Sequence, residues 1–373
     1  MKGHGMDIDN VINEKGSGRL MDLALREPDY QSVDLSRSRQ VEIDRDTYLE
    51  AQARGMTLTE LLESDPYDPS APGSPLDAFE RQLMLKGVRV SGRRPATVEL
   101  FYRNAPMLLP EFIMREIRHG MSLRKDYSRL TASVSDVATN RYTPMYINTS
   151  ATDEKLSMRP VGEGGEVPQI IVTEQKNTVT VPDYGIALKA SYKALRHRTT
   201  AQFKVLLWYV GFKIQADKIA LVTNVIQDGD GNANPATVVN TDSSGTVDYD
   251  DLVNFYLEFF PYEMNTIICH RDMIRALLNL SEYKDPTIGF KFQTGGQMVS
   301  PLGATIVRCD DCPTDYVIGL DNRFAVEEVR SQPLIVEFDK IIEQKFEEAV
   351  ISESVAFAKI IPEASLILDS VFA

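Results

Sequence analysis

The sequence predicts an α+β fold, in which helices and strands are intermixed without a regular β-α-β repeat. Three observations support this prediction. A two-residue alternation begins at Arg141, apolar residues recur at three- and four-residue steps over Thr199–Val225, and short helical and strand-like runs follow one another after Asp228. No internal repeat of fixed period accompanies them.

The bulk composition is that of a globular protein with more than one compact unit. A chain of 373 residues predicts two or three such units, and 43% hydrophobic and 25% charged residues are ordinary values. The net charge of −14 argues against a protein whose whole surface grips nucleic acid, although local basic patches stay possible.

No stretch approaches the roughly 20 apolar residues of a membrane helix. The first residues, MKGHGMDIDN, lack the apolar core of a signal peptide. The three cysteines (Cys269, Cys309 and Cys312) are too few for a disulfide scaffold. We therefore expect synthesis and folding in a reducing cytosol, with no membrane partner.

Residues 1–95 form a distinct zone, interpreted as an N-terminal extension or arm. Met1–Arg39 is polar and without a sustained period, which favours an extended state. Helical patterns follow over Asp44–Ser64 and Pro75–Lys86. Between these patterns, four prolines within DPYDPSAPGSP predict a linker.

A second helical zone, Ala96–Arg129, precedes the strand pattern. Its Pro110 marks a helix start or a kink. Strand-like runs at Tyr142–Tyr146 and from Ile170 to Ser191 enclose a polar, glycine-rich tip, Val161–Pro168. They describe a long two-stranded ribbon with little apolar surface of its own. Because such a ribbon is marginal alone, we expect it to lie against another subunit.

Thr199–Val225 carries the clearest helical pattern, and Gln227-Asp228-Gly229 ends it. At 1.5 Å per residue this helix is about 40 Å long. A turn cluster is predicted over Asp228–Asn240. Helices are then predicted at Tyr249–Phe260 and Arg271–Leu280. The predicted strands are Asn265–Cys269, Thr305–Arg308, Tyr316–Leu320, Ala325–Glu328, Leu334–Phe338, Lys345–Ser352 and Val355–Ile361.

Five segments carry a resemblance to a known family. They are LLPEFIMREIRHGM (Leu108–Met121), VIQDGDGNANP (Val225–Pro235), PLGATIVRCDDCP (Pro301–Pro313), YVIGLDNRFAV (Tyr316–Val326) and SVAFAKIIPEA (Ser354–Ala364). In this order, and with the ribbon before the long helix, they resemble the HK97-type major capsid proteins of tailed bacteriophages. The resemblance spans residues 98–373 and rests on order and spacing.

The resemblance implies a domain plan. Residues 1–95 have no counterpart and are expected to extend the arm; 96–140 hold the N-arm and the start of the peripheral (P) domain. Residues 141–192 form the extended E-loop, 193–227 the spine helix of the P domain, 228–332 the axial (A) domain, and 333–373 the closing P-domain strands and the return to the A domain.

The resemblance also implies a function. It predicts a structural subunit, not an enzyme, which assembles into hexamers and pentamers of an icosahedral or prolate phage head around double-stranded DNA. Scaffold, portal and decoration proteins are the further partners it implies. The expected location is the virion, after assembly in the host cytoplasm. No cofactor, catalytic residue or metal ligand is expected.

Charged residues of the ribbon are the expected inter-subunit contacts of the E-loop: Lys155, Arg159, Glu163, Glu166 and Lys176. Some members of the family crosslink an E-loop lysine to an asparagine beside a glutamate. Here the nearest candidate, Asn322, sits in a turn. Noncovalent contacts are therefore predicted.

A basic stretch interrupts this acidic chain, since Tyr184–Ala216 contains no acidic residue. Its cations are Lys189, Lys193, Arg196, Arg198, Lys204 and Lys213. The favoured interpretation pairs them with acids such as Glu337, Asp339, Glu343, Glu347 and Glu348. The other interpretation places part of this face on the shell interior, where it neutralises DNA phosphate without sequence readout.

Three motifs suggest other chemistry but lack its requirements. Cys309-Asp-Asp-Cys312 has redox or zinc spacing, yet its two carboxylates oppose thiolate formation and zinc needs four ligands. The run beginning at Asp228 lacks the glycine and glutamate of a calcium loop. Glu163 and Glu166 would repel a phosphate at Gly162–Gly165.

Two rival functions stay open at this point. An encapsulin-type compartment would keep the fold and hold a cargo protein. A cytosolic enzyme or binding protein with a C-x-x-C site would be a small oligomer with bound metal.

Overall fold

The computed structural model describes residues 35, 38–70, 74, 76–92, 94–147, 160–165, 172–191, 197–284, 301–341 and 346–372. Its helices are α1 (Arg45–Ala53), α2 (Leu58–Leu62), α3 (Ala78–Leu85), α4 (Val98–Asn104), α5 (Leu109–Ser122), α6 (Thr200–Asp228), α7 (Tyr249–Leu257), α8 (Arg271–Leu278) and α9 (Ser281–Lys284). Short 3₁₀ turns occupy Pro106–Leu108, Lys125–Arg129, Pro301–Gly303 and Pro362–Ala364.

The strands are β1 (Ser133–Asp136), β2 (Arg141–Tyr142), β3 (Met145–Ile147), β4 (Val172–Glu174), β5 (Val179–Thr180), β6 (Asp183–Ser191), β7 (Thr237–Asn240), β8 (Thr266–Cys269), β9 (Thr305–Arg308), β10 (Tyr316–Leu320), β11 (Val326–Ile341), β12 (Phe346–Lys359) and β13 (Ser365–Asp369). Helices and strands are intermixed along the chain, so the predicted α+β class is confirmed.

The chain divides into two compact units. Unit 1 contains Met1–Leu123, Gly185–Lys213 and Leu334–Ser352; unit 2 contains Arg124–Tyr184, Ile214–Pro333 and Glu353–Ala373. The long helix α6 contributes residues 200–213 to unit 1 and 214–228 to unit 2.

The first helices of unit 1 begin at reciprocal capping boxes. Asp44, Thr57 and Asp77 each accept a hydrogen bond from the backbone N–H of the residue three positions on, and the side chain of that residue accepts one from the N–H of the capping residue. Gly55, at φ 66°, separates α1 from α2. The single helical pattern predicted over Asp44–Ser64 is therefore two short helices.

The proline-rich segment between α2 and α3 connects the two helices, as the sequence predicts, and part of it is buried. Asp68 is only 2% exposed and accepts hydrogen bonds from Arg81 Nε and Gln82 Nε2, each at 3.1 Å. Arg81 Nη1 also donates to the Leu76 carbonyl oxygen at 2.9 Å. A buried ion pair with several hydrogen bonds therefore holds the described part of this connection in the core of unit 1.

The predicted helical zone Ala96–Arg129 is helical, but it consists of several separate helices. It contains α4, α5 and the two 3₁₀ turns on either side of α5. Pro110 lies in the first turn of α5, where its missing N–H costs nothing. Phe101 and Phe112 pack edge to face with ring centroids 5.1 Å apart, and both are buried.

Unit 2 is built on a five-stranded sheet of order β7-β13-β10-β8-β9. Strand β10 is antiparallel to both β13 and β8, whereas β13–β7 and β8–β9 are parallel pairs. Ile318 is thus paired with Ile268 on one side and Ile367 on the other.

Both faces of this sheet are buried. Alternate residues point to opposite sides, so Ile268, Ile318 and Ile367 pack with Ile219, Val222 and Ile226 of α6. On the other side, the β8–β10–β13 residues Ile267, Val317 and Leu368 pack with Phe255 and Leu277 from α7 and α8. A continuous apolar strand such as β8 is typical of a sheet covered on two faces.

A second sheet has the order β1-β11-β12-β6. Strand β1 runs parallel to β11, with Val134 opposite Glu328. Within unit 2, a small apolar cluster contains Val179, Val181, Val329, Ala356 and Ala358.

Several strands differ from the prediction. Strand β7 lies in the predicted turn cluster, and β1 and β13 were not predicted. Four predicted C-terminal runs join into β11 and β12. Long paired strands continue through polar positions because their ladder hydrogen bonds come from neighbouring strands, which a local pattern does not reveal.

Candidate inter-subunit interface

The ribbon is described at its base. β2 pairs antiparallel with β5, with Tyr142 opposite Val179, and β3 pairs antiparallel with β4, with Met145 opposite Glu174. Outside the small cluster around Val179, two apolar side chains in the described part of the ribbon are more than half exposed: Met145 is 67% and Val172 55% exposed. The described part of the ribbon therefore presents exposed apolar surface.

Two of the five predicted E-loop contact residues lie in described segments. Glu163 is exposed in a turn closed by a 2.8 Å hydrogen bond from the Gly165 N–H to the Gly162 carbonyl oxygen. Lys176 is exposed between β4 and β5. Lys155, Arg159 and Glu166 fall outside the described residues.

Two cations of the predicted basic face form ion pairs with glutamates. Lys189 Nζ lies 3.2 Å from Glu348 Oε1, and Lys204 Nζ lies 3.2 Å from Glu116 Oε1. Arg198 and Lys213 are exposed. Lys193 and Arg196 fall outside the described residues. Glu348 belongs to the acidic set expected from the sequence; Glu116 does not.

Helices α5 and α6 approach closely within unit 1. A Cβ added to Gly211 would lie 2.1 Å from the Ile117 carbonyl oxygen, and one added to Gly120 would lie 2.3 Å from the Trp208 carbonyl oxygen. Trp208 Nε1 donates to Glu116 Oε2 at 2.6 Å. The two glycines thus allow the backbones of the helices to approach closely, and the side-chain hydrogen bond links the helices as well.

A buried charge cluster surrounds Lys218 in unit 2. Lys218 Nζ donates to Glu328 Oε1 at 3.2 Å and to Glu353 Oε1 at 2.6 Å, and Arg330 Nε donates to Glu328 Oε1 at 2.9 Å. Burial alone would raise the pKa of Glu328, but the Arg330 hydrogen bond and the Lys218 charge lower it. Burial and the neighbouring Glu328 raise the pKa of Tyr127. The cluster holds α6, β11 and β12 together.

The cysteines do not have the properties of a redox or metal site. Cys269, Cys309 and Cys312 are free and buried. Burial raises the pKa of Cys312 to about 12 and also raises that of Cys269, the opposite of what a reactive thiol needs. Within the described part of the chain, no group of three or more His, Cys, Asp and Glu could hold a metal ion.

An exposed apolar patch lies in unit 2 at the end of α7. Phe260 is 88% and Leu257 63% exposed, and the ring of Phe324 lies 6.2 Å from that of Tyr262. Sequence reasoning missed this patch because Phe260 was counted as the end of a helix. Among the described helices, none is long and apolar enough to cross a membrane.

Comparisons with known proteins give fold likenesses only. No protein-family model matches the chain, and no curated protein matches it. Among solved structures, a virus-like particle from Pyrococcus furiosus is 15% identical with a TM-score of 0.47, covering 70% of this chain and 97% of that one.

Two further likenesses are of the same kind. The capsid of cyanophage P-SCSP1u is 14% identical with a TM-score of 0.47, covering 65% of this chain and 86% of that one. The holo-SrpI encapsulin complex from Synechococcus elongatus is 12% identical with a TM-score of 0.44, covering 64% and 85%. At such identities and TM-scores a likeness establishes neither family nor function.

Proposed function

We propose that this chain is the major subunit of an HK97-type phage capsid. It assembles with copies of itself into hexamers and pentamers and encloses double-stranded DNA. In this proposal residues 141–192 act as the E-loop, α6 is the spine helix, and the five-stranded sheet with α7 and α8 is the A domain. Its role is structural and involves no catalysis.

The observation that carries the proposal is the ribbon. Its strand pairs are three residues long or shorter, and Met145 and Val172 are more than half exposed. A two-stranded ribbon of this kind gains too little from its own contacts to stand alone. A neighbouring subunit that covers it supplies the missing burial, and every subunit of a closed shell has such a neighbour.

Rigid connections around α6 support the same role. The Gly120–Gly211 approach fixes the helix within unit 1, and the Lys218 cluster fixes it within unit 2. A shell subunit must keep its shape, because many weak contacts between subunits add up only when all of them can form at once.

DNA contact is assigned to the exposed cations of the basic stretch. Arg198 and Lys213 are exposed, whereas the side chain of Lys204 is mostly buried beside Glu116 inside unit 1. Exposed Lys and Arg neutralise phosphate without reading sequence, which is all that a packaging surface requires. Scaffold, portal and decoration proteins are the further partners, the virion is the location, and assembly takes place in the host cytoplasm.

Electron microscopy of the expressed chain tests the proposal. The chain is produced with and without its own virus's candidate scaffold, and particles are purified and imaged. Closed shells that contain DNA when the chain is produced during infection by its virus support the phage capsid. Closed shells containing a protein cargo instead would support the compartment, and small discrete oligomers under every condition would sink both.

A further inference from the structure

The two halves of the ribbon base are joined by unequal connections. Tyr142 pairs with Val179 and Met145 with Glu174, so residues 143–144 on one strand face residues 175–178 on the other. One hydrogen bond, from the Gln175 N–H to the Pro144 carbonyl oxygen at 2.9 Å, crosses this gap. Extra residues on one strand bend a ribbon and weaken its ladder. The gap is thus the point where the ribbon can change direction.

Asn177, in the longer connection, is bonded to a different part of unit 2. Its backbone N–H donates to Asn232 Oδ1 at 2.9 Å, and its Nδ2 donates to the Gly231 carbonyl oxygen at 2.8 Å. Residues 229–234, here called the helix-exit turn, follow directly from α6. The bend of the ribbon is therefore held by the turn that ends the long helix.

The helix-exit turn is itself held in one conformation. Asp230 Oδ1 accepts from the N–H of Asn232 at 3.2 Å and from its Nδ2 at 3.0 Å. Gly229 and Gly231 have φ of 86° and 94°, a region that other residues rarely adopt. Asn232 thus presents its oxygen to Asn177 in a fixed direction.

Lys359 links this turn to the closing strand β12. Its side chain is fully buried, and its Nζ donates to the Asn234 carbonyl oxygen at 2.9 Å. Its backbone N–H donates to Asp230 Oδ2 at 3.0 Å. A continuous set of hydrogen bonds therefore runs from β12 through the turn to the ribbon.

We propose that Asn177 and the helix-exit turn form a latch that sets the direction in which the ribbon leaves its own subunit. The inference rests on the proposed function, in which the ribbon covers a neighbour. Asn177 acts as a positioning residue: it holds the ribbon in one direction before assembly, so that less conformational freedom is lost when the subunit binds its neighbour.

Hydrogen exchange in the free, full-length subunit tests the latch without assembly. Asn232→Ala removes the acceptor of the Asn177 N–H, and exchange in peptides covering residues 172–181 should become about tenfold faster. Asn254→Ala, which removes the same group from an exposed site on α7, should leave that exchange unchanged. Equal exchange in wild type and Asn232→Ala overturns the latch.

Assembly supplies the second readout. Asn177→Ala should leave the melting temperature of the free subunit within about 2 °C of wild type while lowering the yield of uniform closed shells severalfold. Asn177→Asp keeps the shape of the side chain but removes the Nδ2 donor, so it should lower the yield of shells at least as much as Asn177→Ala. If Asn177→Asp assembles like wild type, the latch is wrong. If wild type itself forms no shells, the proposed function fails, and hydrogen exchange still decides the latch.

Discussion

Lys218 Nζ lies 2.6 Å from Glu353 Oε1, and both side chains are at least nine-tenths buried. The lysine comes from the long helix α6 and the glutamate from the closing strand β12. Glu328 of β11 shares the same ammonium group, and Arg330 supplies the second positive charge. Two carboxylates and two cations therefore balance inside unit 2, which makes the loss of any one of them costly.

Replacing the central cation should destabilise unit 2 strongly. In Lys218→Met, Glu353 loses its ion-pair partner and Glu328 keeps only Arg330, so unfolding free energy should fall by about 3 kcal/mol or more. Urea denaturation followed by circular dichroism measures this. Lys176→Met, at an exposed position of the same unit, is the matched control and should change stability by about 0.5 kcal/mol or less. Equal stability of the two variants would contradict the cluster's role.

The same cluster predicts a loss of stability in acid. The folded-state pKa of Glu328 is lowered, so its contribution is present above the unfolded-state pKa and disappears as pH falls through the folded-state value. Wild type should therefore lose stability as the pH falls below about 4.3. Glu328→Gln should be less stable at neutral pH but should lose less on acidification. Parallel curves for the two proteins would contradict this assignment.

Glu80 predicts the opposite dependence in unit 1. Burial and the nearby Asp77 carboxylate raise the pKa of Glu80 to about 7. Its contribution to stability is therefore present below the unfolded-state pKa and is lost as pH rises through about 7. Glu80→Gln should remove this decline, so the variant should gain on wild type between pH 4.5, the ordinary value for the carboxyl, and about pH 7. Thermal unfolding across that range measures the difference, and an unchanged slope would count against it.

The close approach of α5 and α6 predicts intolerance to a single methyl group. In Gly211→Ala the new Cβ would lie 2.1 Å from the Ile117 carbonyl oxygen, so the helices must separate. We expect a loss of about 2 kcal/mol or more in unfolding free energy. Gly185→Ala is the control, because its Cβ would meet the nearest atom at 3.5 Å. If both substitutions cost the same, the glycine contact does not hold the helices.

Exposed apolar residues of the ribbon predict a defect confined to assembly. Met145→Ser and Val172→Ser remove apolar surface that the free subunit leaves exposed, so its stability should change by about 0.5 kcal/mol or less. Shell formation, followed by light scattering and microscopy, should fall severalfold. Val134→Ser, at a strand position that is 48% exposed outside the ribbon, should assemble normally. Normal assembly of all three variants would contradict burial of the ribbon by a neighbour.

Local patterns account for the elements that the sequence predicts well. The steps of three and four residues that place Ile219, Val222 and Ile226 on one face of α6 are visible in the sequence, and the structure buries all three. The apolar runs of β9 and β10 likewise predict both strands with their observed bounds. Periodicity is a local property, so it can be recognised in the sequence without knowledge of the fold.

Strands with weak local patterns were missed. Ser133–Asp136 is short and exposed, and it is a strand because β11 pairs with it. Thr237–Asn240 was placed in a turn cluster, yet it pairs with β13 in register. In both, the hydrogen bonds that make the strand come from a partner distant in sequence.

By itself, the sequence determined the α+β class, the long helix and a ribbon too poor in apolar contacts to stand alone. Only the tertiary structure decided that Asp68 is buried against Arg81, that Gly120 and Gly211 let two helices touch, and that Asn177 is bonded to the turn after α6. The physical reason is the distance along the sequence over which each interaction acts. Periodicity and capping act over a few residues, whereas a buried ion pair, a helix crossing and the latch join residues whose proximity exists only in the folded chain.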